Sequence, residues 1–167
     1  TYPWLGARQR LGTAIRWVDD HPAQDLTTAL LEAVQPDTAT VCISAVQYAT
    51  GSAVDVHKIV HRAHQVGAKV IVDVTQLAGA APMSMREWGA DAVVCSGYKW
   101  LSAHGGVALM AVDEELIQQT PYIVGWKGTA DPFHFRADYL SLAPDARRFE
   151  LSTMSYGAAI SLSASLA

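Results

Sequence analysis

Long hydrophobic runs, basic clusters and cysteines are all scarce in this 167-residue sequence. No apolar run approaches the roughly 18 residues that span a bilayer, and no signal peptide is visible, so we expect no membrane partner. The net charge is −4 without a basic run, which argues against nucleic acid as a partner. The two cysteines, Cys42 and Cys95, fall inside apolar runs. They are predicted to be inert core thiols, without disulfides, in the reducing cytoplasm.

What the sequence does contain is a regular alternation of short apolar runs and amphipathic segments. Half of its residues are hydrophobic and 17% are charged, which suits one domain-sized unit with a buried sheet. The alternation predicts an α/β fold with a mostly parallel sheet flanked by helices. Strands are predicted at residues 13–18, 38–44, 69–74, 92–95 and 107–112. Helices are predicted at residues 5–11, after the N-cap Asp25, and at 54–66, 83–88 and 113–119.

Polar residues follow two of these strands at the point where each ends. The predicted strand at 69–74 closes on Asp73, with Gln76 shortly after. The predicted strand at 92–95 opens into Ser96-Gly97-Tyr98-Lys99. Ligands gather at the carboxyl ends of parallel strands, so a carboxylate and a lysine can face the same ligand there. Enzymes that use pyridoxal phosphate need this pair. The lysine amine forms a Schiff base with the cofactor, and the aspartate keeps the pyridine nitrogen protonated.

The constellation D-x-x-Q followed by S-G-Y-K resembles the class V aminotransferase family, which includes cysteine desulfurases, kynureninases and isopenicillin-N-epimerase-like proteins. The resemblance implies the large domain of a pyridoxal-phosphate-dependent transferase of fold type I. It implies that Lys99 forms the internal aldimine and that Asp73 is the pyridinium partner. Gln76 would hydrogen-bond the phenolic oxygen of the cofactor, while Ser96 and Tyr98 would hold its phosphate. Kynureninases carry Tyr where this chain has Tyr98, and desulfurases usually carry His.

Two further stretches resemble the same family. The loop Val46-Gln47-Tyr48-x-Thr50-Gly51 is similar to the kynureninase loop, which implies that Gln47 contacts cofactor or substrate. Residues 120–153 are irregular and aromatic, and they include the pattern G-W-x-G. The resemblance implies that this segment lies at the contact of a homodimer with a shared active site. The run R-F-E-L-S-T is similar to the family's R-F-E-x-G-T, which implies that Thr153 binds the phosphate of the cofactor in the opposite subunit.

The resemblance predicts a pyridoxal-phosphate enzyme that acts on an amino acid through a Lys99 aldimine. A lyase-type reaction, kynureninase- or desulfurase-like, is the first hypothesis, because Tyr98 and the Gln47 loop look kynureninase-like. The mobile catalytic cysteine that desulfuration needs is not present in this sequence. Aminotransferase or epimerase activity is the alternative within the family. Members of the family are more than twice as long, with a small domain that residues 1–167 do not contain. A non-catalytic fragment, inactive alone, is therefore the alternative from another class.

Two other kinds of site fit the sequence less well than this hypothesis. A nicotinamide-binding Rossmann domain is disfavoured, because no G-x-G-x-x-G pattern follows any predicted strand. His57, His61 and His64 share one face of a predicted helix, as metal ligands can. No carboxylate or cysteine joins them at ligand spacing, so we interpret this face as a solvated surface and predict no metal site.

Overall fold

The computed structural model describes residues 2–21 and 23–167 of the chain. Within this part of the chain, no helix is both long enough and apolar enough to pass through a membrane. The strands are β1 (Thr40–Ser44), β2 (Lys69–Asp73), β3 (Ala92–Ser96) and β4 (Ala108–Val112). The helices are α1 (Tyr2–Leu11), α2 (Leu26–Ala33), α3 (Val56–Gln65), α4 (Met85–Trp88), α5 (Glu114–Ile117) and α6 (Tyr156–Ser165). Two 3-10 helices, Trp126–Gly128 and Ala146–Phe149, lie between α5 and α6.

The four strands form one sheet in the order β1-β2-β3-β4. β1, β2 and β3 are parallel, and β4 runs antiparallel to β3. The register places Ser44 beside Asp73 and Asp73 beside Val94, so the carboxyl ends of the three parallel strands meet at one edge. The predicted α/β fold with a mostly parallel sheet is confirmed.

One face of the sheet is packed against helices, and the amphipathic α3 supplies most of that contact. Val56, Ile59, Val60 and Ala63 recur at helical spacing and are all buried. They join a core cluster that includes the buried residues of β2. The other residues of β2 alternate with these and are half-buried, so Asp73 faces away from the helical layer.

The helix ends follow the predicted capping chemistry. Asp25 caps α2, because its Oδ2 accepts a hydrogen bond of 2.8 Å from the backbone N–H of Thr28. Gly67, at φ +78°, ends α3 in the left-handed conformation. α5 is shorter than the predicted helix 113–119, since Asp113 serves as its N-cap.

The structure contradicts two predictions, one for residues 13–18 and one for Cys42 in β1. Residues 13–18 form no strand. Instead, Arg16 of this segment donates hydrogen bonds to the Ala33 carbonyl and to Thr38 Oγ1, both at 3.1 Å. Side-chain anchoring to the end of α2 thus replaces a backbone ladder. Cys42 is an exposed residue and not a core thiol, because the alternation along β1 turns it away from α3. Cys95 is buried, as predicted.

At the amino edge of the sheet, a buried carboxylate joins three elements. Asp91 is 2% exposed. Its Oδ2 lies 2.7 Å from the donating Val70 N–H and 2.9 Å from His64 Nε2, and its Oδ1 lies 2.9 Å from Lys69 Nζ. Burial alone would raise the pKa of Asp91, but the hydrogen bonds from His64, Val70 and Lys69 together outweigh it and hold that pKa below its usual value.

This cluster changes the interpretation of the histidine face of α3. His57 and His61 are exposed, as predicted for a solvated surface. His64 differs from them, because its ring contacts the Asp91 carboxylate. Lys69 also contacts Glu115, at 2.5 Å. The hydrogen bond to Glu115, and after it the hydrogen bond to Asp91, raise the pKa of Lys69 above its ordinary value.

Candidate active site

Asp73 closes β2 at the carboxyl edge of the sheet, where the loop after β1 also begins. Its Oδ1 accepts a hydrogen bond of 2.8 Å from the backbone N–H of Thr75. Its backbone carbonyl accepts a bond of 2.9 Å from Ala45 N–H. Asp residues commonly bond the backbone two residues ahead in this way, which fixes the side chain. The carboxylate is therefore oriented by the loop that follows it.

Lys99 lies in a tight turn that begins directly after β3. Gly97 is buried at the base of the turn, where its N–H donates to the Val107 carbonyl at 3.0 Å and its own carbonyl accepts from Ala103 N–H at 3.0 Å. A Cβ at Gly97 would lie 2.8 Å from a methyl carbon of Val107, so only glycine fits without displacement. Lys99 is exposed, and its Nζ lies 5.3 Å from the centre of the Tyr98 ring. The amine is therefore accessible to a ligand.

Two contacts fasten the lysine turn to the loop that follows Asp73. Ser96 N–H donates to Thr75 Oγ1 at 3.0 Å. Further along, Gly79 adopts φ +89°, and a Cβ there would lie 2.7 Å from the carbonyl oxygen of Trp100. The two backbones approach so closely because Gly79 has no side chain. Sequence reasoning identified neither Thr75 nor Gly79 as part of the site.

The other predicted residues of this edge also follow strand ends. Gln76 lies in the turn after β2, and Ser96 is the last residue of β3; both are half-buried. Gln47 is half-buried in the loop after β1, where its N–H donates to the Ser52 carbonyl at 2.9 Å. Thr50 of that loop hydrogen-bonds Asp20, which ties the loop to the preceding segment. The structure thus places Gln47, Gln76 and Ser96 at the edge that carries Asp73.

Thr153 is not joined to these residues by any hydrogen bond within the described part of the chain. It follows a segment that packs against the G-W-x-G pattern. Gly125 faces the backbone of Leu151, and a Cβ on Gly125 would overlap it at 1.7 Å. Trp126 Nε1 donates to Ser152 Oγ at 3.2 Å, so the serine at the position of the family's glycine has a partner. The stretches G-W-x-G and R-F-E-L-S-T therefore contact each other.

The negative charge of Asp73 also affects the pKa of Cys95 on the neighbouring strand. Burial, and after it the negative charge of Asp73, raises the pKa of the Cys95 thiol above its usual value. A thiol of this kind stays protonated at neutral pH and is a poor nucleophile. Cys95 is therefore inert, although it lies next to Ser96.

Two cavities of the described residues lie away from this edge. One, of about 610 Å³, is lined by the aromatic segment, including Trp126, Phe135 and Tyr139. The other, of about 380 Å³, lies between residues 17–19 and α2. Neither is lined by Asp73 or Lys99. At the strand ends, Asp73, Gln76 and Ser96 are half-buried and Lys99 is exposed.

The fold is that of a large group of solved structures. A cysteine desulfurase from Thermococcus onnurineus NA1 matches 99% of this chain, which covers 41% of that structure, with a TM-score of 0.83 and 24% identity. The cystine C-S lyase C-DES, solved with its product cysteine persulfide, matches 98% of this chain, which covers 44% of that structure, with a TM-score of 0.85 and 23% identity. Another C-DES structure, at a TM-score of 0.83, holds glycine covalently linked to its PLP cofactor.

The chain belongs to the Aminotransferase class-V family, whose sequence profile matches residues 1–167. The suspected family is thereby confirmed. The kynureninase of Deinococcus radiodurans is 34% identical over 119 residues, which are 70% of this chain and 29% of the relative. The kynureninase of Eremothecium gossypii is 36% identical over 143 residues, which are 83% of this chain and 32% of the relative. The chain thus spans about a third of the length of these curated relatives.

Proposed function

We propose that this chain is the cofactor-binding part of a pyridoxal-phosphate enzyme that acts on an amino acid through Lys99. The observation that carries the proposal is the arrangement of two neighbouring strand ends. Asp73 closes one strand, Lys99 follows the other, and Thr75 hydrogen-bonds to both strand ends. Membership of the class V family and the PLP-linked C-DES structure support the choice of cofactor.

The side chains at this edge fit the chemistry of pyridoxal phosphate. The Asp73 carboxylate can accept a hydrogen bond from a protonated pyridine nitrogen, and its orientation is already fixed by Thr75 N–H. The accessible Lys99 amine can bind the aldehyde carbon. Gln76 offers an amide to the phenolic oxygen, and Gln47 offers another to the cofactor or substrate. Ser96 and Tyr98 offer hydroxyl groups to the phosphate.

When bound, pyridoxal phosphate supplies an electron sink for charge that develops at the alpha carbon of an amino acid. Asp73 supports that role because its negative charge favours a proton on the ring nitrogen. Lys99 Nζ would hold the cofactor and, when free, would be the general base that removes the alpha proton of a bound amino acid.

A lyase-type reaction, kynureninase- or desulfurase-like, is the outcome that we favour. The two curated relatives named above are kynureninases, and one structural neighbour is a cystine C-S lyase. Tyr98 also stands where kynureninases carry tyrosine. Transamination or epimerisation begins with the same proton transfer to Lys99, so these remain the alternatives within the family. A fragment that does not bind cofactor is the alternative outside it.

The aromatic segment 120–153 supports the proposal of a homodimer with a shared active site. The cytoplasmic location of this homodimer is proposed on other grounds, the two free cysteines. Its side chains include Tyr122, which is 90% exposed, and Phe133 and Phe135, which are about 70% exposed. Exposed aromatic patches of this kind mark interaction surfaces. Thr153 is the last residue of this segment and is proposed to reach the cofactor phosphate of the partner.

The test is covalent trapping of the cofactor on the full-length protein. The protein is mixed with pyridoxal phosphate, its visible absorbance is recorded, borohydride is added, and the labelled peptide is identified by mass spectrometry. We expect the label on Lys99 and its loss, together with the absorbance band, in Lys99→Ala. Lys58→Ala, which removes an exposed lysine of α3, is the matched control and should keep both. A Lys99→Ala protein that retains the band and full turnover would contradict the proposal.

A further inference from the structure

We propose that Thr75 is a positioning residue that sets the lysine turn relative to the Asp73 carboxylate. This role rests on the proposed function, since it concerns the same cofactor site. Thr75 makes two hydrogen bonds of different kinds. Its backbone N–H donates to Asp73 Oδ1 at 2.8 Å, and its side-chain Oγ1 accepts from Ser96 N–H at 3.0 Å. One residue therefore contacts both the acid and the strand that leads to the amine.

The side chain of Thr75 extends the sheet by one hydrogen bond at a place where the backbone ladder has ended. The last backbone bond between the two segments runs from Val74 N–H to the Val94 carbonyl, at 2.8 Å. The next donor along β3 on this side is Ser96 N–H, and it finds the Thr75 hydroxyl oxygen and not a backbone carbonyl. The last residue of β3 is thus fixed by a side chain, three positions before Lys99.

This bond can affect the site because it holds Ser96, the residue from which the lysine turn starts. Ser96 is half-buried, so its N–H is partly shielded from water and depends on the Thr75 oxygen. Without that acceptor, the origin of the turn is free to move away from β2. Asp73 would keep its own bond to the backbone of residue 75, because that bond does not use the side chain. The expected defect is therefore in the placement of Lys99 relative to Asp73, with the carboxylate itself unchanged.

Two substitutions separate the hydroxyl from the shape of the side chain. Thr75→Val keeps the branched shape and removes the acceptor, whereas Thr75→Ser keeps the acceptor and removes a methyl group. Thr28→Val is the matched control, because the Thr28 hydroxyl also takes part in a hydrogen bond, donating to Asp25 Oδ2, but lies on α2, away from the strand ends. All variants are made in the full-length protein.

Two measurements test the role without reference to turnover. Amide hydrogen exchange at Ser96, in the absence of cofactor, reports the bond itself. Titration with pyridoxal phosphate, followed by absorbance, reports the dissociation constant. We expect Thr75→Val to speed Ser96 exchange and to weaken cofactor binding, each by about tenfold, the usual effect of leaving one such donor unpaired. Thr75→Ser should stay near the wild type, and Thr28→Val should leave both quantities unchanged.

Three results would overturn the role. The first is a Thr75→Val protein that binds the cofactor with wild-type affinity while its melting temperature falls, which assigns Thr75 to stability alone. The second is a Thr75→Ser protein as impaired as Thr75→Val, which assigns the effect to the methyl group. Both cases leave borohydride labelling of wild-type Lys99 intact, so the proposed function survives them. Absence of that label in the wild type would overturn the proposed function, and this role of Thr75 with it.

Discussion

Removing the buried carboxylate of Asp91 should destabilise the fold strongly, although Asp91 lies at the opposite edge from the candidate site. Asp91→Ala leaves the buried Val70 N–H without an acceptor, which costs about 1–3 kcal/mol. Breaking a buried charge pair costs about 3–5 kcal/mol, but the side chains of Lys69 (33% exposed) and His64 (43% exposed) can regain water. We therefore expect a loss of about 3 kcal/mol in the free energy of unfolding.

The assay is urea unfolding followed by circular dichroism, read as a shift in midpoint at unchanged slope. Asp91→Asn keeps one oxygen for Val70 N–H and should lose about half as much. Glu115→Gln is the control, since its side chain is 70% exposed and such surface pairs contribute about 0–1 kcal/mol. An Asp91→Ala protein as stable as Glu115→Gln would refute the reasoning.

The pH dependence of the unfolding free energy, compared between the wild type and Asp91→Asn, gives a second check. The pKa of Asp91 lies below its usual value, so the stability that its charge contributes is complete above the unfolded carboxyl pKa of about 3.9. It is lost as the pH falls through the lower native pKa. The advantage of the wild type over Asp91→Asn should therefore narrow below about pH 3.9. An advantage that widens on acidification would contradict the assigned network.

Gly79→Ala should destabilise the protein by about 2–3 kcal/mol and weaken cofactor binding, because its methyl group would press on the Trp100 carbonyl in addition to straining φ. Gly67→Ala has a similar φ but open space around it, so it should cost only about 1 kcal/mol and leave cofactor binding unchanged. Gly125→Ala should prevent normal folding of the aromatic segment, seen as loss of soluble protein, since its methyl group would overlap a neighbouring backbone. Gly157→Ala, within α6 and in open space, should instead raise the melting temperature, because alanine favours the helix by about 0.5–1 kcal/mol.

Much of the fold could be predicted because its signals are local. The alternation of β2, the helical spacing of α3 and the cap at Asp25 each depend on residues within a few positions of one another. The positions of Asp73 and Lys99 followed from the same patterns, since Asp73 ends β2 and Lys99 lies in the turn after β3. Segment 13–18 has the composition of a strand, but the residues that the structure describes offer it no strand to pair with. Whether a partner strand exists does not depend on the sequence of the segment itself.

The connections between the two strand ends could not be predicted, because both partners of each contact lie on different elements. Thr75 stands inside the D-V-T-Q motif, but nothing near it in sequence identifies Ser96 as its donor. Gly79 belongs to a loop of small residues, which signals a close approach without naming Trp100. Exposure of Cys42 likewise depends on which face of the sheet the helices cover.

The antiparallel direction of β4 has a consequence for the turn that carries Lys99. β3 and β4 are paired up to Ser96 and Ala108, and Gly97 N–H bonds the Val107 carbonyl, so both stems of the intervening loop are anchored. The turn that carries Lys99 is therefore closed at both ends by the pairing of β3 with β4. Lys99 cannot move far from the sheet unless that pairing opens first.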